Sequence, residues 1–209
     1  MAPRAYSLGK RREQVSETRQ RVVEAAASLF RESGIQLATM TAIAIRAGVA
    51  PGTVFNHFPN KDELVRAVLD HIMGRLRFPT SEIFRRTRST ESRLRVLVDA
   101  MFEFYDRSNE WYEMYRRERD ASPAIQQAEQ LFWAGVRDLY QEGVGPWLGN
   151  RRVATAIFGL TGPATLGSLK EADLTVGDAA RPISDMLVLL ARREVGRQVG
   201  SGTSTQSSA

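Results

Sequence analysis

The chain has no cysteine. That excludes a disulfide framework and any thiolate metal site. Only two histidines occur, His57 and His71, and no metal-ligand spacing, nucleophile elbow or phosphate-binding loop accompanies them. The glycine-rich run GLTGPATLG at 159–167 has no strand-like segment before it and no Lys-Ser/Thr after it, so it does not read as a P-loop. No apolar run approaches the roughly 20 residues that span a bilayer. The N-terminus is polar and basic and lacks the apolar centre of a signal peptide. The expectation is a cytoplasmic protein that is not an enzyme, with no catalytic residue, no metal, no cofactor and no membrane partner.

What the chain does carry is an uneven positive charge. Residues 1–75 hold 11 Lys and Arg against 7 Asp and Glu, while the rest holds 18 against 17. Most of the excess therefore lies in the first third. Phosphate neutralisation and counterion release make use of such an excess. A length of 209 residues suits one large domain or two small ones.

The most specific stretch is TMTAIAIRAGVAPGTVFNHFPNKD, from Thr39 to Asp62. Thr39 suits the N-cap of a first helix. Gly48 suits a left-handed end to it. Pro51 stands where a second helix should begin, because a missing N–H costs nothing in the first turn. Pro59 stops that helix after Phe58, and Asn60 with Glu63 opens a third. Ile43, Ala44, Ala47, Val49, Val54 and Phe58 can share one interior. Thr53, Asn56 and His57 then point outward, with Lys61 following. Two helices joined by a short Gly-containing turn make a helix-turn-helix, and the second helix fits a DNA major groove.

From about residue 18 to residue 70 the chain resembles the TetR family of bacterial transcriptional regulators. The residues that carry the likeness are TRQRVVEAAASLFRESG, then T-x-x-x-I-A-x-x-A-G-V, then GTVFNHFPNKDELVRAVL. The resemblance implies an all-α protein. An N-terminal three-helix domain with the helix-turn-helix is followed by a C-terminal helical domain for ligand binding and dimerisation. It also implies DNA contacts at Thr39, Thr41, Pro51, Gly52, Thr53, Phe55, Asn56, His57 and Lys61, the last two on phosphates. Two positions depart from the family pattern. Ala50 replaces the usual N-cap Ser, and Phe55 replaces the usual Tyr. Phe55 reads either as core or as a contact to a thymine methyl group. Thr39 reads first as a cap, Lys61 by itself as a solvated charge, and Arg46 as a solvated side chain.

Along the chain, residues 1–16 read as a flexible basic arm and 17–75 as the helix-turn-helix domain with a linking helix. Residues 76–195 read as an effector-binding and dimerisation domain, and 196–209 as a disordered tail rich in Gly, Ser and Thr. Helices are expected at 17–33, from 61 to about 77, at 91–107, and from Ser122-Pro123 to about 142. Gly143, Gly145 and Pro146 are expected to end the last of these. Two more follow at 151–169, kinked at Pro163, and at 179–195. The latter is apolar almost all round. Burying several faces points to a partner subunit, with Ile157, Leu160, Ile183, Met186, Leu187 and Leu190 as the interface.

Met101, Phe102, Tyr105, Trp111, Tyr115, Phe132 and Trp133 form the candidate effector pocket. The same aromatic stripe also reads as ordinary core. Few cations share it, so the expected effector is small and apolar. The expectation as a whole is a ligand-responsive repressor that binds a near-palindromic double-stranded operator as a homodimer and is released by its effector. The alternatives are a DNA-binding regulator or structural protein without an effector and, from a different class, an enzyme.

Overall fold

The computed structural model describes residues 4–202, and among these the fold is all-α. The helices are α1 (Arg4–Ser33), α2 (Met40–Ala47), α3 (Pro51–His57), α4 (Lys61–Leu76), α5 (Thr90–Glu118), α6 (Pro123–Leu148), α7 (Arg151–Leu160), α8 (Pro163–Glu171) and α9 (Val176–Gly202). Short 3-10 turns lie at Ser81–Phe84 and Arg119–Ala121. No helix among the described residues is long and apolar enough to cross a membrane.

The chain divides into two compact units. Among the described residues, the first contains those up to Leu76 together with Glu110–Phe132, the second Arg77–Asn109 together with those from Trp133 on. Within the second domain expected over 76–195, residues 110–132 pack with the first unit instead. The reason lies in the core. Val22, Ala26, Phe30, Ile43, Val54, Phe58, Leu64 and Val68 form a fully buried cluster, and Met114, Ala124 and Ile125 complete it. The apolar periodicity of 110–132 is real, but periodicity does not say which core it serves.

Two helix ends differ from expectation. Residues 4–16, read as a mobile arm, continue α1 as helix. The run KRREQ at 10–14 consists of good helix formers. Residues 1–3 of that arm and 203–209 of the expected tail lie outside the described residues. At the other end, α9 continues to Gly202 past the expected stop at 195.

In the second unit α6 does not end at Gly143. It runs on through Gly145 and Pro146 with one non-helical residue, Val144, at φ −132° and ψ 18°. Pro146 has no N–H, so the carbonyl of Glu142 four residues earlier loses its helical donor. Arg93 Nη1 supplies a replacement at 3.1 Å, and the Arg93 guanidinium lies 5.6 Å from the centre of the Phe84 ring. That ring fills the space a side chain at 143 would need: a Cβ there would sit 2.6 Å from Phe84 Cζ. The expected single helix over 151–169 is two helices. Asn150 caps α7 by accepting from the backbone N–H groups of Arg152 and Val153, and Pro163 starts α8 at its first turn.

The core of the second unit includes Leu94, Leu97, Val98, Met101, Phe102, Val136, Tyr140, Val153, Ile157, Ala180 and Leu187. Phe104 meets Phe78 edge-on with ring centres 5.2 Å apart. Surface ion pairs join Glu91 of α5 to Arg192 of α9 at 2.6 Å, and Asp106 of α5 to Lys170 of α8.

Candidate nucleic-acid interface

The local chemistry of the helix-turn-helix is realised at each step. Thr39 is extended at φ −82° and ψ 154°, and its hydroxyl oxygen accepts from Ala42 N–H at 3.1 Å. Gly48 is left-handed at φ 66° and ψ 40°. Its N–H donates to Ile45 O at 3.1 Å, and Val49 N–H donates to Ala44 O at 3.0 Å. This pair of bonds is a Schellman ending, which satisfies the last carbonyls of α2 and turns the chain sharply. The turn brings α3 in at a fixed angle. α3 starts on Pro51 without a side-chain cap, as the Ala50 substitution implies.

α3 has two faces. Val54 is fully buried, and Phe58, four residues on, closes the helix in the same core. Positions 51, 52, 55 and 56 fall on the opposite side by helical spacing, and Pro51, Gly52, Phe55 and Asn56 are all exposed. Phe55 is 49% exposed, so it is not a core residue. Thr53 and His57 are half-buried at the edges. Thr39 and Thr41 are exposed at the start of α2. Pro59 blocks continuation, and Phe58 leaves the helix at φ −139° and ψ 94°. Asn60 Oδ1 accepts from Glu63 N–H at 2.9 Å and opens α4.

Lys61, expected on phosphate, is half-buried, and its Nζ donates to Gln36 O at 3.1 Å. Burial pushes its pKa below the ordinary lysine value, while the Glu118 carboxylate acts in the other direction. Arg46 is not a free solvated side chain. It holds Glu32 through two hydrogen bonds and also donates to Ser28 Oγ. Sequence reading missed Glu32, Gln36 and Glu118. Glu32 and Arg46 are 14 positions apart, and Gln36 and Glu118 are 82 apart, beyond any helical spacing rule.

The candidate pocket residues fall in both units. Met101, Phe102 and Tyr105 are buried in the second. Trp111 and Tyr115 pack against the core of the first. Phe132 belongs to the first unit and Trp133 to the second, both half-buried. Of the candidate interface, Ile157, Ile183 and Leu187 are buried in the core of the second unit. A buried side chain cannot form a surface, so these three are corrected to core. Leu160 and Met186 are exposed, Leu190 is half-buried, and Phe158 and Leu189 join the exposed apolar set.

Residues 22–68 match the sequence family described as bacterial regulatory proteins, tetR family. The chain is 30% identical over 134 residues to the HTH-type transcriptional activator FasR of Mycolicibacterium smegmatis, covering 62% of this chain and 61% of that protein. It is 32% identical over 107 residues to the HTH-type transcriptional repressor KstR2 of Rhodococcus jostii, covering 49% and 50%. The matches thus span between half and three fifths of these curated relatives' lengths. The transcriptional regulator FadR from Bacillus subtilis, solved in complex with stearoyl-CoA, has the same fold. Its TM-score is 0.59 at 17% identity, covering 81% of this chain and 97% of that one.

Proposed function

Because the chain belongs to the TetR family of bacterial transcriptional regulators, we propose that it is a ligand-responsive repressor that acts on DNA in the cytoplasm. The observation that carries this reading is the free face of α3, with Pro51, Gly52, Phe55 and Asn56 exposed and Val54 buried behind them. Asn56 suits bidentate recognition of adenine, and Phe55 suits a thymine methyl group. Thr53 stands with Pro51 and Gly52 at the tip that approaches the bases, Thr39 and Thr41 meet phosphate or a base edge, and His57 and Lys61 supply phosphate contacts. Such contacts fix register but carry no sequence information.

The operator is near-palindromic and the protein a homodimer. Two recognition helices must then reach successive major grooves about 34–36 Å apart. The exposed apolar side chains Leu160, Met186 and Leu189 support a partner on α7 and α9. The effector is small and largely apolar and binds among the helices of 91–142, whose buried residues include Met101, Phe102, Phe104, Tyr105 and Tyr140. It releases DNA by preferring a conformation whose helix spacing does not match the grooves. Its leverage is limited to its difference in affinity for the two states.

The test is selection from random duplexes at low salt, followed by Asn56→Ala. A near-palindrome should emerge, and Asn56→Ala should relax one position of each half-site by about 1–3 kcal/mol. A second arm is a thermal-shift screen of apolar, cationic and polyanionic compounds, followed by DNA release. Recovery of no enriched sequence sinks the DNA reading. A polyanion that stabilises the protein and releases DNA, with apolar compounds inert, sinks the effector reading.

A further inference from the structure

We propose that Glu118 is a positioning residue for DNA binding: it holds Gln36, the residue whose carbonyl Lys61 grips, and its negative charge limits how strongly Lys61 can engage a phosphate. The proposal rests on the reading of Lys61 as a phosphate contact. Gln36 joins the two side chains. Its N–H donates to Glu118 Oε2 at 3.1 Å, and its carbonyl accepts from Lys61 Nζ at 3.1 Å. The α1–α2 loop is shaped around this carboxylate. Gly34 has φ +85°, and a Cβ at that position would lie 2.2 Å from Glu118 Oε1.

The segment that presents Glu118 is fixed on both sides. Met114 and Ile125 are buried in the core of the first unit, and Ser122 Oγ donates to the carboxylate of Asp62, the neighbour of Lys61. A phosphate that recruits Lys61 must therefore draw the ammonium off Gln36 O and away from the attraction of Glu118. Charge-assisted bonds are the strong ones, so a carboxylate placed here weakens the phosphate contact without touching DNA. It also keeps the loop ahead of Thr39 and α2 in one conformation.

Glu118→Gln separates the two roles, because the amide oxygen can still accept from Gln36 N–H while the charge is gone. Wild type, Glu118→Gln, Lys61→Ala and the double variant are titrated as full-length chains against the selected duplex across a salt series. The thermal midpoint of each is measured alongside. Glu118→Gln should raise affinity at least about threefold, a gain that disappears when Lys61 is already Ala, as coupling between neighbours requires. It should also steepen the slope of log affinity against log salt by up to about one unit per subunit, because a freed cation neutralises one more phosphate. The midpoint should stay close to that of wild type.

An equal gain in both Lys61 backgrounds overturns the proposal, since it would come from overall charge alone. So does a loss of affinity in both backgrounds with a lowered midpoint, which would make Glu118 a structural tie only. If Lys61→Ala changes neither affinity nor salt slope, the assignment of Lys61 as a phosphate contact fails first and the inference with it.

Discussion

Arg46 forks around the carboxylate of Glu32, with Nη1 2.8 Å from Oε1 and Nη2 2.9 Å from Oε2. The same Nη1 donates to Ser28 Oγ at 3.1 Å, and that hydroxyl donates to Glu32 Oε1 at 2.7 Å. The pair ties α2, the first helix of the helix-turn-helix, to α1. Bidentate geometry makes it more directional than an ordinary surface ion pair.

This arrangement predicts a pH dependence. The hydrogen bond from Arg46, then that from Ser28, holds the Glu32 carboxyl at about 2 against an ordinary 4.5. A depressed carboxylate contributes stability that is complete above the unfolded value and is lost as pH falls through the folded one. The thermal midpoint advantage of wild type over Glu32→Gln should be constant above about pH 5 and shrink from there towards about pH 2. It should also shrink with added salt, because the pair is exposed. An advantage that grows on acidification would contradict the assignment.

Tyr140 and Thr161 form a buried hydroxyl pair at 2.6 Å in the second unit. Thr161 Oγ1 also donates to Ile157 O at 2.7 Å. Its one proton is therefore used, and Tyr140 must be the donor. Tyr140→Phe should cost about 1–2 kcal/mol in denaturant unfolding, because it leaves a buried acceptor unpaired. Burial pushes the Tyr140 hydroxyl up to about 12 from an ordinary 10.0. The unfolded tyrosine thus ionises first, and the advantage over Phe should hold below about pH 10 and fall between about 10 and 12. A Phe variant as stable as wild type would refute the donor assignment.

Neighbouring residues on α9 should respond oppositely to a charge. Met186 is 51% exposed and Leu189 64%, whereas Leu187 is 1% exposed. Met186→Glu or Leu189→Glu should leave a folded protein that sediments as a monomer, because the charge lands in the proposed subunit contact. Leu187→Glu should instead abolish the helical unfolding transition, because it buries an unpaired charge in the subunit's own core. An intact dimer in both exposed variants would move the interface elsewhere.

What could be read from the amino-acid order concerns interactions a few residues long. The cap at Thr39, the left-handed Gly48, the start at Pro51, the stop at Pro59 and the cap at Asn60 each act within about one helical turn, and all five stand as their residue types imply. The buried side of α3 was legible for the same reason: Val54 and Phe58 repeat at helical spacing. α9 shows the limit. Apolar residues cover nearly its whole circumference over 183–191, so no period marks Leu187 as core and Met186 as surface.

The chain by itself thus determined the all-α class, the helix-turn-helix and the residues on the free face of α3, because caps, turns and periodicity are local physics. Only the tertiary structure decided what long-range partners do. It paired Arg46 with Glu32, and it carried α6 through Pro146 by placing Arg93 on the stranded Glu142 carbonyl. It also set Glu118 against a loop 82 positions away. A charged side chain takes whichever hydrogen-bonding partner packing brings within about 3 Å, and sequence spacing does not encode that distance.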